Sequence, residues 1–214
     1  MSKNIYEYLP THVRLKLCEL VAATKLRGIE YGLLIHGLPE KPLTIHTSEI
    51  FVGDQNSVYI DTSVCTKDPC LAYFHTHPNG ITVFSPEDIA FYCTICITSD
   101  YRFKTHYSII LGAPDERGDV YWIKYFTLKK TTPEYRDRFC REYWSLKKES
   151  KDVIELVKEA NMLVTEYFTE VLASYSLTCR EIDVYKFSSA KEPSLEDIMK
   201  LAELIEQGFE RLHI

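Results

Sequence analysis

Apolar and polar positions alternate along this chain in two rhythms. Residues 11–26 (THVRLKLCELVAATKL) carry Val13, Leu17, Leu20 and Val21 at helical spacing, which predicts an amphipathic helix closed by Arg27-Gly28. Short apolar or alternating runs follow at 30–36, 44–52, 57–64 and 70–76, separated by Pro, Gly, Asn and Asp; each predicts a strand. Ser85-Pro86-Glu87-Asp88 then spells a helix start, with Ser as N-cap, Pro in the first helical position and acids in the first turn, and the helix runs to about residue 98. Two further strands are expected at 102–112 and 119–128.

The rhythm changes after Thr132. Pro133 opens a stretch rich in Glu, Lys and Arg, with Phe139, Tyr143, Leu146, Ile154 and Val157 recurring, which predicts helix to about Ala173. A last helix over about 195–212 follows the capping pattern Ser194-Leu195-Glu196-Asp197. The order predicts an α+β fold with a mostly antiparallel sheet flanked by helices, plus a C-terminal helical region. A boundary near residue 130 divides the chain into 1–130 and 131–214.

Composition narrows the function classes. Hydrophobic residues at 45% and charged residues at 26% are ordinary for a globular protein. The net charge is -6 and Lys and Arg never cluster, so a nucleic-acid partner has little electrostatic support. The sequence has neither a membrane-length apolar run nor a secretory leader, so a cytoplasmic protein with no membrane association is expected. Seven cysteines without a secreted-scaffold spacing are expected to be buried thiols, a Cys65–Cys70 loop disulfide being the alternative. Cys93 and Cys96 share a helix face with Ile89 and Tyr92, which predicts core packing rather than redox chemistry. His36, His46 and His106 lie in strands without metal-like spacing and are expected to be structural.

The segment 73–89, YFHTHPNGITVFSPEDI, carries the chemistry. Residues two apart on a strand share a face, so His75 and His77 present two imidazoles together while Thr76 points away. Asp88, in the first turn of the following helix, can face back toward them. Two imidazoles and a carboxylate suit zinc and leave a coordination position for water, which is the catalytic rather than the structural arrangement. Taken singly, each residue has an ordinary use: Ser85 and Asp88 as a capping box, the histidines as strand residues, Pro78 and Gly80 as turn formers. Jointly they form H-x-H-P-x6-S-x2-D.

This pattern resembles, residue for residue, the JAMM motif of the MPN+ domain zinc metalloproteases, whose members include deubiquitinases. The resemblance covers about the first 130 residues, with its specificity concentrated in 75–88. It implies an MPN fold, one zinc per chain held by His75, His77 and Asp88, and Ser85 as the residue that steadies the oxyanion. It also implies Glu30 as general base, on the early strand EYGLLIHG. The family's glycine three residues after this Glu is Leu33 here, with Gly32 one position early. Glu87 is the local rival for the base, and its place in the first turn beside Asp88 turns it away from the metal.

The implied activity is hydrolysis of an isopeptide or peptide bond, with a ubiquitin-like protein or its conjugates as substrate. A catalytically silent MPN scaffold, a phage-tail peptidase and a RadC-like protein are the competing readings. The C-terminal stripe Ile198, Leu201, Ile205, Phe209 and Leu212 suits either packing on the domain or a helical partner or homodimer surface.

Overall fold

A computed structural model of the chain describes residues 3–63, 69–98, 107–115 and 120–207. A single 3-10 turn (Ile5–Glu7) leads into α1 (Thr11–Arg27), which ends where Gly28 adopts a left-handed φ of 65° and its N–H caps Thr24. Strands β1 (Tyr31–Leu38), β2 (Lys41–Thr47), β3 (Phe51–Val52) and β4 (Cys70–Thr76) precede α2 (Pro86–Thr98). Then come β5 (Ser108–Pro114), β6 (Val120–Leu128), α3 (Pro133–Glu149), α4 (Val153–Tyr167), β7 (Phe168–Ser176), β8 (Glu181–Lys186) and α5 (Leu195–Glu206). The protein is α+β: the strands form one mixed sheet in the order β2-β1-β4-β5-β6-β7-β8, with the short β3 also paired to β1. Among the described pairings only β4 with β5 is parallel.

While the edge strands β2 and β8 are largely exposed, both faces of the central sheet are covered. On one, Val13, Leu17 and Val21 of α1 pack against Leu33, Phe74, Ile110, Ile123 and Ala173. On the other, α2, α3 and α4 place Ile89, Phe139, Tyr143 and Val164 over Leu34, Tyr73, Ile109 and Phe126. β4 and β5 are buried along their whole lengths, as befits central strands between two helical layers. Among the described residues no helix is long and apolar enough to cross a membrane.

Four sequence expectations need correction. The run 44–52 is broken after Thr47, so only Phe51–Val52 continues as strand. No strand forms over 57–63; this segment folds instead over β1, where Gly32 leaves room for Ile60. The long helix read from Pro133 to Ala173 divides at Ser150–Asp152, with Asp152 accepting the Glu155 N–H at 2.8 Å, and stops at Tyr167. Residues 168–176 are strand because they pair with the whole length of β6, and Val171, Ala173 and Tyr175 join the core on the α1 face. Tertiary pairing outweighs the helical rhythm there. Finally, Cys93 and Cys140 form a disulfide between α2 and α3, with Cα atoms 5.3 Å apart, where buried thiols were expected. Cys93 and Cys96 do pack in the core. Cys65 and His106 lie outside the described residues, as do Phe209 and Leu212.

Candidate metal centre

Strand alternation sets the first two candidate ligands. Tyr73 and His75 point to the α2 face of β4, while Phe74 points to α1. Thr76 also turns to the α1 side, where its hydroxyl lies 2.6 Å from that of Thr24 and accepts the Tyr31 N–H at 2.9 Å. These bonds fasten the end of β4 to α1 and to the start of β1. His77 continues the strand by donating its N–H to Gly112 O at 2.9 Å.

Asp88 comes from the first turn of α2, and a reciprocal capping box holds it. The Ser85 N–H donates to Asp88 Oδ2 at 2.8 Å, and the Asp88 N–H donates to Ser85 Oγ at 3.1 Å. The carboxylate spans both imidazoles, with Oδ1 3.1 Å from His75 Nε2 and Oδ2 3.3 Å from His77 Nε2. The two Nε2 atoms are 3.0 Å apart. These separations approach the edge of a tetrahedron with metal–ligand bonds of about 2.0 Å, which is roughly 3.3 Å. Capping and metal ligation are therefore compatible uses of one carboxylate.

One contact in the surrounding shell orients the His77 ring as a ligand. His77 Nδ1 lies 3.2 Å from Ile81 O, a contact that places the ring proton on Nδ1 and leaves the Nε2 lone pair for a cation. Tyr73 stacks on His75 with centroids 5.5 Å apart and donates its hydroxyl to Asp88 O at 2.8 Å. His75 Nδ1 is buried with no hydrogen-bond partner among the described residues. Across those residues, His75, His77 and Asp88 are the one group whose donor atoms converge closely enough to hold a metal ion.

Glu30 reaches the same site from β1. Gly32 pairs with His75 across the β1–β4 ladder, and two residues outward that register sets Glu30 opposite His77. Its backbone is pinned by Glu30 N–H to Asp54 O (2.7 Å) and Gly53 N–H to Glu30 O (2.9 Å). A Cβ on Gly32 would meet Ile60 Cδ1 at 2.7 Å, so a residue without a side chain lets Ile60 close over the strand. Glu30, His75, His77, Ser85 and Asp88 together line one cavity of about 60 Å³, walled by Val58, Ile60, Tyr73 and Phe91. Glu87 lines it too, but its carboxylate pairs with Lys147 at 3.6 Å and is not among the converging donor atoms.

The electrostatics follow from burial and neighbours. Burial pushes the Glu30 carboxyl up to about 8, opposed by His77 and reinforced by Asp88 and Asp54. Burial also disfavours the Asp88 anion, but the two histidines outweigh it and hold this carboxyl far below its usual range. Burial lowers the basicity of His75 despite Asp88. For His77 the same burial is outweighed by Asp88 and Glu30, so its net shift is upward.

Sequence reasoning missed the residues that position the loop between His77 and Asp88, because they lie far along the chain. Asn161 of α4 bonds both backbone groups of Phe84, and Tyr143 of α3 donates its hydroxyl to Pro86 O. Asp197 of α5 accepts from the Thr82 hydroxyl at 2.6 Å, and Lys200 donates to Asn79 O at 2.8 Å. Only the helical rhythm of 133–212 hinted at them. Ile198 and Leu201 of the C-terminal stripe pack on Ile81, Val83 and Val157.

No protein-family model and no curated protein matches the sequence.

Proposed function

We propose that this protein is a zinc-dependent hydrolase of the JAMM (MPN+) kind that cleaves isopeptide or peptide bonds, with ubiquitin-like proteins or their conjugates as substrate. The observation that carries this reading is the convergence of His75, His77 and Asp88 in one cavity that Glu30 and Ser85 also line. An α+β sheet with one helix on one face and the Asp88 helix on the other supports an MPN-like architecture.

His75 Nε2, His77 Nε2 and an Asp88 oxygen would hold the ion. Zinc, when bound, supplies a Lewis acid that acidifies a water and polarises a carbonyl. Glu30 is the group for proton transfer: buried at the cavity wall, it takes a proton from the attacking water and returns it to the leaving amine. A divalent cation nearby would lower its pKa from that elevated value, which suits it to begin as a base. Ser85 Oγ accepts the Asp88 N–H and keeps its own proton to donate to the oxyanion. Val58, Ile60 and Phe91 exclude water from the wall facing the substrate.

The test begins with zinc per chain in wild type and His77→Ala. One zinc in the wild type and almost none in the variant supports the centre. Glu30→Gln should then retain zinc yet lose about 10²–10⁴-fold in hydrolysis of a modifier–lysine isopeptide. Equal zinc in wild type and His77→Ala, or full activity in Glu30→Gln, sinks the reading.

A further inference from the structure

We propose that Asn161 is a positioning residue of the metal centre; the inference rests on the zinc reading above. Asn161 lies on α4, and its side chain is buried. Its Oδ1 accepts the Phe84 N–H at 2.9 Å, and its Nδ2 donates to Phe84 O and to Val157 O, each at 2.8 Å. The carboxamide thus satisfies both backbone groups of a residue 77 positions away in sequence, as a neighbouring strand would.

Phe84 occupies the position that governs Asp88. It immediately precedes Ser85, whose N–H donates to the Asp88 carboxylate, and its ring lies 6.4 Å from that of His75. The link runs from Asn161 through the Phe84 peptide and the Ser85 N–H to Asp88 Oδ2. Every step is a short, buried or half-buried hydrogen bond, so a shift of Phe84 moves the carboxylate away from the two imidazoles. No other side chain among those described bonds the Phe84 backbone, and the carboxamide has no spare hydrogen to reassign: both of its N–H groups are used, one on each carbonyl. Asn161 touches neither the donor atoms nor the cavity. Its role is to fix the geometry of a ligand, as groups just outside a metal's own ligands commonly do.

The experiment compares wild type, Asn161→Asp, Asn161→Ala and Leu163→Ala. Zinc affinity is measured by chelator competition, and the visible spectrum of the cobalt-substituted protein reports ligand geometry. Asn161→Asp is nearly isosteric and keeps an acceptor for the Phe84 N–H, while losing both donated bonds. Leu163→Ala loosens α4 beside Leu146 of α3, two residues from Asn161 and so on another side of the helix. Both Asn161 variants are expected to bind zinc about 10- to 100-fold more weakly and to show an altered cobalt spectrum. Leu163→Ala, though less stable, should keep wild-type affinity and spectrum. Wild-type affinity and spectrum in Asn161→Asp overturn the inference alone. An equal loss in Leu163→Ala also overturns it, because the effect would then follow stability. A wild-type protein that binds neither metal overturns this inference together with the zinc reading.

Discussion

At the scale of the residue, Glu30 is a carboxyl placed where ionising it is costly. Its pKa lies at about 8 in the folded metal-free protein, against an unfolded value near 4.5. Between these two values the folded state binds the extra proton. The Glu30 contribution to stability is therefore greatest below the unfolded value and falls as pH rises through the window, by up to about 1.4 kcal/mol per pH unit. His77 is shifted up and His75 down, so their own contributions oppose each other. Glu30→Gln removes the ionisation while keeping the shape. Denaturant melts in chelator at pH 5, 6.5 and 8 should show wild type losing stability toward pH 8, with Glu30→Gln losing less and becoming the more stable of the two. Parallel pH profiles would contradict this account of Glu30. A variant that is inactive yet more stable at high pH is what strain held for function predicts.

At the scale of the element, the start of α2 serves two purposes with one set of atoms. Ser85 and Asp88 cap the helix and also orient the carboxylate. Ser85→Ala should cost about 1 kcal/mol in thermal or denaturant unfolding through the lost cap. It should also slow hydrolysis well beyond what that loss of stability explains, while Ser85→Thr restores the cap. Equal activity in Ser85→Ala and wild type would leave Ser85 as a cap alone. The β1–β4 pair makes a second element-scale prediction. In Gly32→Ala the new methyl pushes on Ile60 and Val58, which wall the cavity. The expected result is about 1–3 kcal/mol of destabilisation and slower hydrolysis, with zinc content unchanged. Zinc loss in this variant would mean that β1, rather than the cavity wall, had moved.

The same elements show what was legible in the chain. The His75–His77 spacing and the Ser85–Asp88 capping pattern are local, so alternation and helix-start chemistry suffice to place them, and all five candidate residues line one cavity. Glu30 was legible only through the family resemblance, because the β1–β4 register that brings it opposite His77 is specified by no local pattern. Residues 168–173 read as helix because their partners in β6 lie 40 to 50 residues earlier. The 57–63 segment has the alternation of a strand but bonds to no ladder, because it is spent closing over Gly32. The Cys93–Cys140 bridge was invisible for the same reason: it joins α2 to α3, and sequence spacing says nothing of how two helices lie.

At the scale of the whole molecule, the candidate metal centre is assembled by parts of the chain from both sides of residue 130. β6 pairs over its full length with β7, and β8 continues the sheet beyond it. α3 and α4 cover the α2 face, and α5 grips the loop between His77 and Asp88 through Asp197 and Lys200. A chain ending at residue 130 would expose the entire β6 edge and the apolar faces of Tyr73, Ile89 and Phe126, a surface that pairs with other chains or collapses. It would also lack Tyr143, Asn161 and Asp197, the groups that hold Pro86, Phe84 and Thr82. The expected outcome is a fragment that aggregates or binds no zinc although it contains every ligand. The milder truncation after residue 192 removes α5 alone, uncovering Ile81, Val83 and Val157. It should stay folded and bind zinc more weakly, and at equal free zinc its melting temperature should rise less than that of wild type, because a bound ligand stabilises as the logarithm of its concentration over its dissociation constant. A soluble 1–130 fragment with wild-type zinc affinity would show instead that the first half builds the centre unaided, and that the helices beyond it serve another purpose.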